Sequence, residues 1–195
     1  MCILCINDHI TDLSEADTER LIASQPEWRR EKALRFIHLQ GRRECAAGYT
    51  ELLRGLRLRF GIGGLPAFDY NEHGKPFLKE HPDIHFSISH CKEAVGCIIS
   101  DRPCGLDIEH IRHAKEDLVR HTMSPQEMES IYADPFPDIA FTRLWTQKEA
   151  VLKLIGTGIV DDLHHVLEPD MLKDIVLKTT ENYYRGYIFT TAINN

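Results

Sequence analysis

The sequence predicts an α+β fold with antiparallel sheet, divided into two halves of similar size. Strand-like stretches fall into separate groups at the beginning, in the middle and at the end of the chain. Helix-like stretches occupy the two intervals between these groups, so strands and helices do not alternate as they do in parallel α/β folds. A turn close to Arg102 is the expected junction between residues 1–102 and residues 103–195.

The composition is that of an ordinary globular protein. The 195 residues are 43% hydrophobic and 27% charged, which suffices for one core or two small packed halves. No apolar run approaches the roughly 20 residues that a membrane span needs. The opening apolar stretch, residues 1–6, is short and has no basic segment before it, so it is expected to be a first strand and not a signal peptide. We therefore expect a cytoplasmic protein that does not bind membranes.

The six cysteines are expected to be reduced thiols. Without an export signal, a disulfide framework is not expected. Cys2 and Cys5 have the spacing of a zinc or redox half-site, but they lie in the apolar first strand and no second pair matches them. Both are therefore predicted to be buried thiols.

The net charge of −7 argues against a general nucleic-acid-binding protein, since such proteins carry a basic excess. Basic residues are nevertheless concentrated between Arg29 and Arg59. This concentration has two interpretations, a local anion-binding site or solvated helix faces. The charge pattern alone does not decide between them.

Three helices are predicted in the first half after the opening strand. A polar stretch from Ser14 through Ile22 indicates the first helix. Pro26 suits the first turn of the second helix, with Ser24 as its cap. The third is expected over residues 41–58, and the glycine-rich segment 61–66 that follows it is predicted to be a loop.

Short strands are expected in the middle of the chain, separated by turns. The turn that precedes Pro76 should leave Lys75 extended, because a residue before proline avoids the helical region. A second turn at residues 101–103 separates the last two strands of this group. The predicted strands are residues 68–70, 84–89, 94–100 and 104–108.

Two further helices and a returning pair of strands are predicted in the second half. Ser124 with Glu127 three residues later has the form of a capping box, which begins a helix. The prolines of residues 134–137 end that helix. The clearest helix covers residues 141–155 and ends at Gly156. The tail alternates loosely and is typical of strands.

Two acidic residues alternate with two apolar ones on the predicted strand 104–108 and just beyond it. On a strand, Leu106 and Ile108 face one side while Asp107 and Glu109 face the other. Neighbouring carboxylates repel each other unless a cation lies between them, and Mg²⁺ prefers such oxygen ligands. A half-buried strand with a solvated acidic face has the same pattern, so the spacing leaves both interpretations open.

The helix at residues 141–155 carries charges where apolar residues are expected. Lys148 falls within the apolar stripe, so it must pair or reach an anion, because burying a bare lysine is costly. Glu149 and Lys153 lie one turn apart at the edge of the stripe, an arrangement that a surface ion pair would also show. Phosphoryl-type transfer needs a metal, a proton-accepting carboxylate and a lysine near the leaving phosphate. The sequence offers a candidate for each.

Four segments in this order resemble the motifs of the 4′-phosphopantetheinyl transferases, in the monomeric surfactin-synthetase-activating subgroup. The segments are Gly74-Lys75-Pro76, Phe86-Ser87-Ile88-Ser89-His90, Gly105-Leu106-Asp107-Ile108-Glu109 and the helical segment 145–153. The resemblance implies two similar α+β halves with pseudo-twofold symmetry and coenzyme A in the cleft between them. It also implies a monomeric Mg²⁺-dependent enzyme that moves the phosphopantetheine arm of coenzyme A to a serine of an apo acyl or peptidyl carrier protein, releasing 3′,5′-ADP.

Carried over position by position, the resemblance assigns the metal and the chemistry to three acidic and two basic residues. Asp107, Glu109 and Glu149 would hold Mg²⁺, and Glu149 would also accept the proton of the carrier serine, directly or through water. Lys153 would bind the pyrophosphate and assist the leaving group, with Lys148 in the same network. Asp107, Glu149 and Lys153 are thus the catalytic candidates.

The resemblance assigns the remaining coenzyme A contacts to the first half. Lys75 and Pro76 would lie along the adenine edge, and Ser89 and His90 would contact phosphates. Residues 1–102 would therefore hold the nucleotide, while residues 103–195 would supply the metal site and the catalytic helix. The basic residues expected at the 3′-phosphate are Arg29, Lys32 and Arg43.

Three positions depart from the family pattern or have two interpretations. Ser87 stands where the family usually has asparagine. A phosphate-binding arginine of the family aligns with Glu44, and Arg43, one residue earlier, is turned from that direction by about 100° on a helix. Glu127 aligns with a glutamate that the family often has near the metal, but the capping box gives it a competing role.

An acidic enzyme must meet an acidic carrier protein through a local basic or apolar patch. The candidate patch follows the carboxylate strand and is basic. Two other functions would use a similar site: a metal-dependent phosphohydrolase or nuclease, and a non-catalytic module that binds coenzyme A or a carrier. The net negative charge disfavours the first, and the complete set of acidic residues with Lys153 disfavours the second. The patch consists of Arg112, His113, Lys115 and Arg120.

Overall fold

The computed structural model describes residues 2–158 and 162–195. Met1, at the start of the predicted opening strand, lies outside the described residues. The elements of the first half are β1 (Cys2–Asn7), α1 (Glu15–Ala23), α2 (Glu27–Leu34), α3 (Leu39–Phe60), β2 (Phe68–Tyr70), β3 (Pro76–Leu78), β4 (His85–His90) and β5 (Val95–Ser100). The first sheet has three antiparallel strands in the order β1–β5–β4, and a short ribbon pairs β2 with β3.

The elements of the second half are β6 (Cys104–His110), α4 (Glu116–Thr122), α5 (Pro125–Ala133), α6 (Pro137–Ile155), α7 (Pro169–Leu172), β7 (Ile175–Asn182) and β8 (Tyr187–Asn194). The second sheet also has three antiparallel strands, in the order β6–β8–β7. Its register places Asp107 opposite Thr190 on β8. The long helix α6 packs on this sheet as α3 packs on the first.

The α+β class with antiparallel sheet is confirmed, and the two sheets share one topology. In each, the last two strands form a hairpin, and the opening strand pairs with the final strand at the centre. In each, a long helix precedes the hairpin and ends at a left-handed glycine, Gly61 with φ 69° and Gly156 with φ 80°. The shared order of strands and helices is expected for two similar halves, whereas the pseudo-twofold rotation between them stays a prediction.

Buried residues from both sheets form a common cluster. Ile98 on β5 packs with Leu106 and Ile108 on β6, and with Tyr187 on β8. Since apolar burial stabilises folding in proportion to its area, this cluster holds the halves together and fixes where β4 and β6 face each other. No helix in the described ranges is long and apolar enough to cross a membrane.

Several local expectations need correction. Ser24 ends α1 and does not cap α2; Pro26 is itself the residue before the first turn of α2. Helix α4 was not predicted, because its N-cap residue, Lys115, makes no side-chain capping hydrogen bond and the segment is short. The capping box at Ser124 and Glu127 is confirmed.

The six cysteines are free, as expected, but one of the predicted buried thiols is exposed. Cys5 is buried, whereas Cys2 is exposed. Residues three apart on a strand face opposite sides of the sheet, so the apolar character of β1 did not imply that both thiols are inside.

Candidate active site

The strand β6 presents its two carboxylates on the face opposite its core residues. Leu106 and Ile108 are fully buried in the shared cluster. Asp107 is only 3% exposed and Glu109 is half-buried. The alternation predicted from the sequence is therefore present, and the acidic face is largely enclosed.

The close approach of α6 to β6 brings the helix charges to this face. A Cβ atom at Gly105 would lie 1.9 Å from the carbonyl oxygen of Ala150 and 2.6 Å from the backbone nitrogen of Leu154. Only glycine permits backbone contact at this distance. The contact places Glu149 and Lys153 beside Asp107.

Asp107 is held by two donors through one oxygen. Lys153 Nζ donates to Asp107 Oδ1 at 2.6 Å, and Ser89 Oγ donates to the same oxygen at 3.1 Å. Asp107 Oδ2 is buried and has no hydrogen-bond partner among the residues that the structure describes. A buried carboxylate oxygen without a donor is costly, and a bound cation would remove that cost.

The two other carboxylates are harder to ionise than ordinary glutamates. Burial, followed by the charge of Asp107, raises the pKa of Glu109 and of Glu149. Trp145 Nε1 donates to Glu109 Oε1 at 3.2 Å and partly opposes this rise in the pKa of Glu109. The three carboxylates thus form one electrostatically coupled group.

The donor set of this group fits a hard divalent cation. Oxygen ligands alone suit Mg²⁺, and a cation would both neutralise the mutual repulsion and satisfy Asp107 Oδ2. Within the described ranges, however, no three side chains of suitable type already surround one point as a formed metal site. In this conformation the ammonium of Lys153 supplies the positive charge beside Asp107.

A cleft of about 330 Å³ opens beside Glu149 and Lys153 and is lined by both halves. Its first-half walls come from the turn before β3 and from β4, and its second-half walls from the end of α6. The lining residues are His73, Gly74, Lys75, Pro76, Phe86, Ser87, Ile88, Glu149, Leu152, Lys153, Gly156 and Gly158.

Lys75, predicted at the adenine edge, lines this cleft but uses its ammonium elsewhere. Its Nζ donates to the carbonyl oxygens of Lys153 at 2.5 Å and Leu154 at 3.0 Å. Asn71 Nδ2 donates to the Gly156 carbonyl at 3.0 Å. A lysine at these carbonyls satisfies the free acceptors at a helix end, so the first half holds the end of α6. Pro76 lines the same cleft.

Ser89 and His90, both predicted to contact phosphates, have different surroundings. Ser89 is 5% exposed and bonds to Asp107 and Lys153. His90 is exposed, with Nδ1 3.3 Å from Glu44 Oε2. His90 is therefore accessible to solvent and Ser89 is buried, and neither residue lines the cleft.

The basic residues predicted at the 3′-phosphate do not form one open group. Arg29 is 8% exposed, donates to the Cys45 carbonyl at 2.7 Å, and lies over the ring of Tyr49 at 5.0 Å. Such packing commits its guanidinium to the core. Lys32 is exposed, and Arg43 is half-buried with an unpartnered Nε among the described residues.

Lys148 pairs inside the protein, as its place in the apolar stripe required. It is fully buried, and its Nζ donates to Glu127 Oε2 at 2.7 Å and to the Leu163 carbonyl at 2.7 Å. Glu127 also accepts from the backbone N–H of Ser124 at 2.7 Å. The capping role of Glu127 is confirmed, and its charged partner is Lys148. Lys148 does not line the cleft, so its predicted place in the phosphate network gains no support.

Two residues to which the sequence interpretation gave no role make contacts at the site. Ser87 Oγ accepts from the Leu106 N–H at 3.1 Å, and Asn71 holds the end of α6. Both depend on residues distant in sequence. The alternation of Ser87 with Ser89 on a strand was the one available signal for the first.

The residues of the predicted carrier patch lie on the surface that follows β6. All four are exposed, and Arg120 pairs with Glu116 while His113 pairs with Asp138 at 3.1 Å. The patch is therefore accessible to solvent, and neighbouring acidic side chains offset part of its positive charge.

A family model matches the part of the chain that carries the three carboxylates. The model of the 4′-phosphopantetheinyl transferase superfamily matches residues 103–188. That range includes β6 and α6, the two elements that meet at Gly105.

Curated proteins similar to this chain extend the match into the first half. A 4′-phosphopantetheinyl transferase of Bacillus subtilis is 30% identical over 152 residues, which are 75% of this chain and 67% of the relative. The 4′-phosphopantetheinyl transferase HetI of a Nostoc species is 30% identical over 169 residues, 81% of this chain and 71% of the relative. The 4′-phosphopantetheinyl transferase Sfp of Bacillus subtilis strain 168 is 28% identical over 151 residues, 75% and 67% of the two chains. With its carboxylate strand and the helix that meets it matched in this way, the chain belongs to the 4′-phosphopantetheinyl transferase superfamily.

Proposed function

We propose that this protein transfers the 4′-phosphopantetheine arm of coenzyme A to a serine of an apo acyl or peptidyl carrier protein, giving the holo carrier and 3′,5′-ADP. The observation that carries the proposal is the meeting of three carboxylates and Lys153 beside a cleft lined by both halves. Relatives named for this activity support it.

Coenzyme A is the proposed occupant of the cleft, and Mg²⁺ is the proposed metal. Asp107 through its unpartnered Oδ2, together with Glu109 and Glu149, would hold the ion. When bound, the ion would neutralise charge on the pyrophosphate oxygens. The raised pKa values of both glutamates support a cationic partner, because their own ionised forms are disfavoured without one.

The chain's own residues would handle the proton and the leaving group. The carrier serine oxygen forms a bond to the β-phosphorus of coenzyme A, and the bond from that phosphorus to the bridging oxygen breaks. The serine proton goes to Glu149, directly or through water. Lys153 stabilises the charge that develops on the leaving 3′,5′-ADP.

The two halves would divide the work of binding. Residues 1–102 would hold the nucleotide through Lys32, Pro76 and His90, while residues 103–195 supply the metal site and the catalytic helix. The exposed basic patch after β6 would meet the acidic carrier. The cytoplasmic location, the monomeric state and the absence of nucleic-acid or membrane binding stay predictions.

Intact-mass analysis of an apo carrier protein, incubated with this enzyme, coenzyme A and Mg²⁺, tests the proposal. We expect a gain of one phosphopantetheine mass that disappears on chelation. Breakdown of coenzyme A without modification of the carrier would instead indicate a phosphohydrolase. Coenzyme A binding with no mass gain on fatty-acid, polyketide or peptide carriers would indicate a binding module.

A further inference from the structure

We propose that Ser89 is a positioning residue that orients the carboxylate of Asp107 for a divalent cation, and that it does not donate to the phosphates of the substrate. The inference deepens the proposed function and rests on it for the identity of the substrate. It depends on the hydrogen bonds of one hydroxyl group and on where that group lies.

Ser89 belongs to a seam between two edge strands. β4 ends the first sheet and β6 ends the second, and they face each other without a backbone ladder between them. Ser87 Oγ accepts from the N–H of Leu106, and Ser89 Oγ accepts from the N–H of Ile108, each at 3.1 Å. Two serine hydroxyls thus satisfy backbone donors that an edge strand would otherwise leave unpaired.

The hydroxyl of Ser89 has no capacity left for a phosphate. A serine hydroxyl has one hydrogen to donate and two lone pairs to accept with. Ser89 Oγ accepts from the Ile108 N–H and from Lys153 Nζ at 3.0 Å, so its own hydrogen goes to Asp107 Oδ1 at 3.1 Å. A donation to phosphate would require breaking the bond to Asp107.

The same bond determines which oxygen of Asp107 is free. Ser89 and Lys153 both engage Oδ1, which leaves the buried Oδ2 without a partner in the described part of the chain. Ser89 is 5% exposed and does not line the cleft, whereas Ser87 does. The place of Ser89 outside the cleft and the hydrogen bonds that its hydroxyl already makes both indicate that Ser89 acts by orienting Asp107.

The test compares Ser89→Ala with Ser87→Ala, which removes the neighbouring seam hydroxyl but touches no carboxylate. Thermal unfolding of both variants establishes that each is folded at the temperature of the binding measurements. The larger shift is expected for Ser89→Ala, because Ser89 Oγ makes three hydrogen bonds and Ser87 Oγ accepts one. Mn²⁺ binding in the absence of coenzyme A, measured by calorimetry, is the first readout. Coenzyme A binding in the presence of chelator is the second.

Removing a group that orients a metal ligand costs about 10-fold or more in metal affinity. We therefore expect Ser89→Ala to weaken Mn²⁺ binding by about 10-fold and Ser87→Ala to leave it nearly unchanged. The affinity of Ser89→Ala for coenzyme A without metal should equal that of the wild type. Weakened coenzyme A binding with unchanged Mn²⁺ binding would overturn the inference, and so would a wild-type protein that binds no Mn²⁺.

Failure of this inference is distinguishable from failure of the proposed function. If the wild type modifies no carrier, yet Ser89→Ala still weakens Mn²⁺ binding selectively, the positioning role stands and the transferase proposal fails. If transfer occurs and both serine variants bind Mn²⁺ equally well, the transferase proposal stands and the positioning role is wrong.

Discussion

The two halves share an order of strands and helices but differ in how the long helix meets its sheet. At Gly55 of α3, an added Cβ would meet a side-chain atom of Ile99, Cδ1, at 2.1 Å. At Gly105 of β6, an added Cβ would meet the backbone of α6. The first half therefore packs through side chains, whereas the second brings backbone against backbone and places charged groups together.

The glutamates of the two long helices also differ in whether they have a charged partner. Glu51 on α3 pairs with Arg54 on the same helix at 3.2 Å. Glu149 on α6 forms no ion pair with any of the described residues, and burial followed by the charge of Asp107 raises its pKa. The two sheets share one topology, but the buried glutamate of α3 is paired on its own helix, whereas Glu149 of α6 belongs to a group of carboxylates in which both glutamates have raised pKa values. That group lies beside the cleft.

The largest expected effect is that of Gly105→Ala. Its methyl group would collide with backbone atoms that belong to a whole helix, so we expect a loss of more than about 3 kcal/mol in the free energy of unfolding. Gly55→Ala should stay within about 1 kcal/mol of the wild type, because Ile99 can rotate and alanine favours the helix. Urea unfolding of both variants measures the difference. Equal losses would mean that the halves do not differ in this way.

Substitutions of the two lysines of α6 should differ in their effects on stability and on carrier modification. Lys148→Met leaves Glu127 without its charged partner in a buried site, which costs about 3 kcal/mol. Lys153→Met should lose less, because the Lys153 side chain is 33% exposed and Ser89 still donates to Asp107 Oδ1. Urea unfolding checks the stabilities, and carrier modification should be abolished in Lys153→Met. A more stable Lys148→Met than Lys153→Met would contradict this assignment.

Removing the hydrogen bonds by which Lys75 holds the end of α6 should reduce the free energy of unfolding by a smaller amount. Lys75→Met removes the ammonium that binds the carbonyls of Lys153 and Leu154, and we expect a loss of about 1–2 kcal/mol. Hydrogen exchange at the last turn of α6 should become faster. Lys79→Met is the control, because Lys79 is exposed. Unchanged exchange in Lys75→Met would show that the tie does not hold the helix.

The smallest expected effect is a pH dependence in the absence of metal. The raised pKa of Glu149 means that the fold favours its protonated form. Its contribution to the free energy of unfolding is therefore complete below the ordinary pKa of 4.5 and is lost as the pH rises through the folded value. Glu149→Gln should lose less stability than the wild type between pH 4.5 and neutrality, measured by urea unfolding in chelator. Parallel curves would contradict the shift.

Features set by neighbouring residues could be predicted from the sequence. The alternation around Asp107, the capping box at Ser124 and the glycine end of α6 each depend on a few adjacent positions. The apolar stripe of α6 also predicted that Lys148 needs a partner. The free-energy cost of burying an unpaired lysine depends on its burial, whatever the partner is.

Features set by distant residues could not be predicted in this way. The periodicity of α2 does not reveal that Arg29 lies over the ring of Tyr49, and the turn before Pro76 does not reveal that Lys75 reaches the end of α6. Both contacts arise when elements far apart in the chain pack together. Motif resemblance located Ser89 but not the three bonds that use its hydroxyl.

The most direct test of the account is carrier modification by Glu149→Gln and Glu51→Gln, compared by intact mass with coenzyme A and Mg²⁺. Both substitutions remove one partly or fully buried carboxylate from a long helix. We predict that Glu149→Gln adds no phosphopantetheine to the carrier, while Glu51→Gln modifies it as the wild type does. Full modification by a folded Glu149→Gln variant would contradict the claim that the chemistry lies where α6 meets β6.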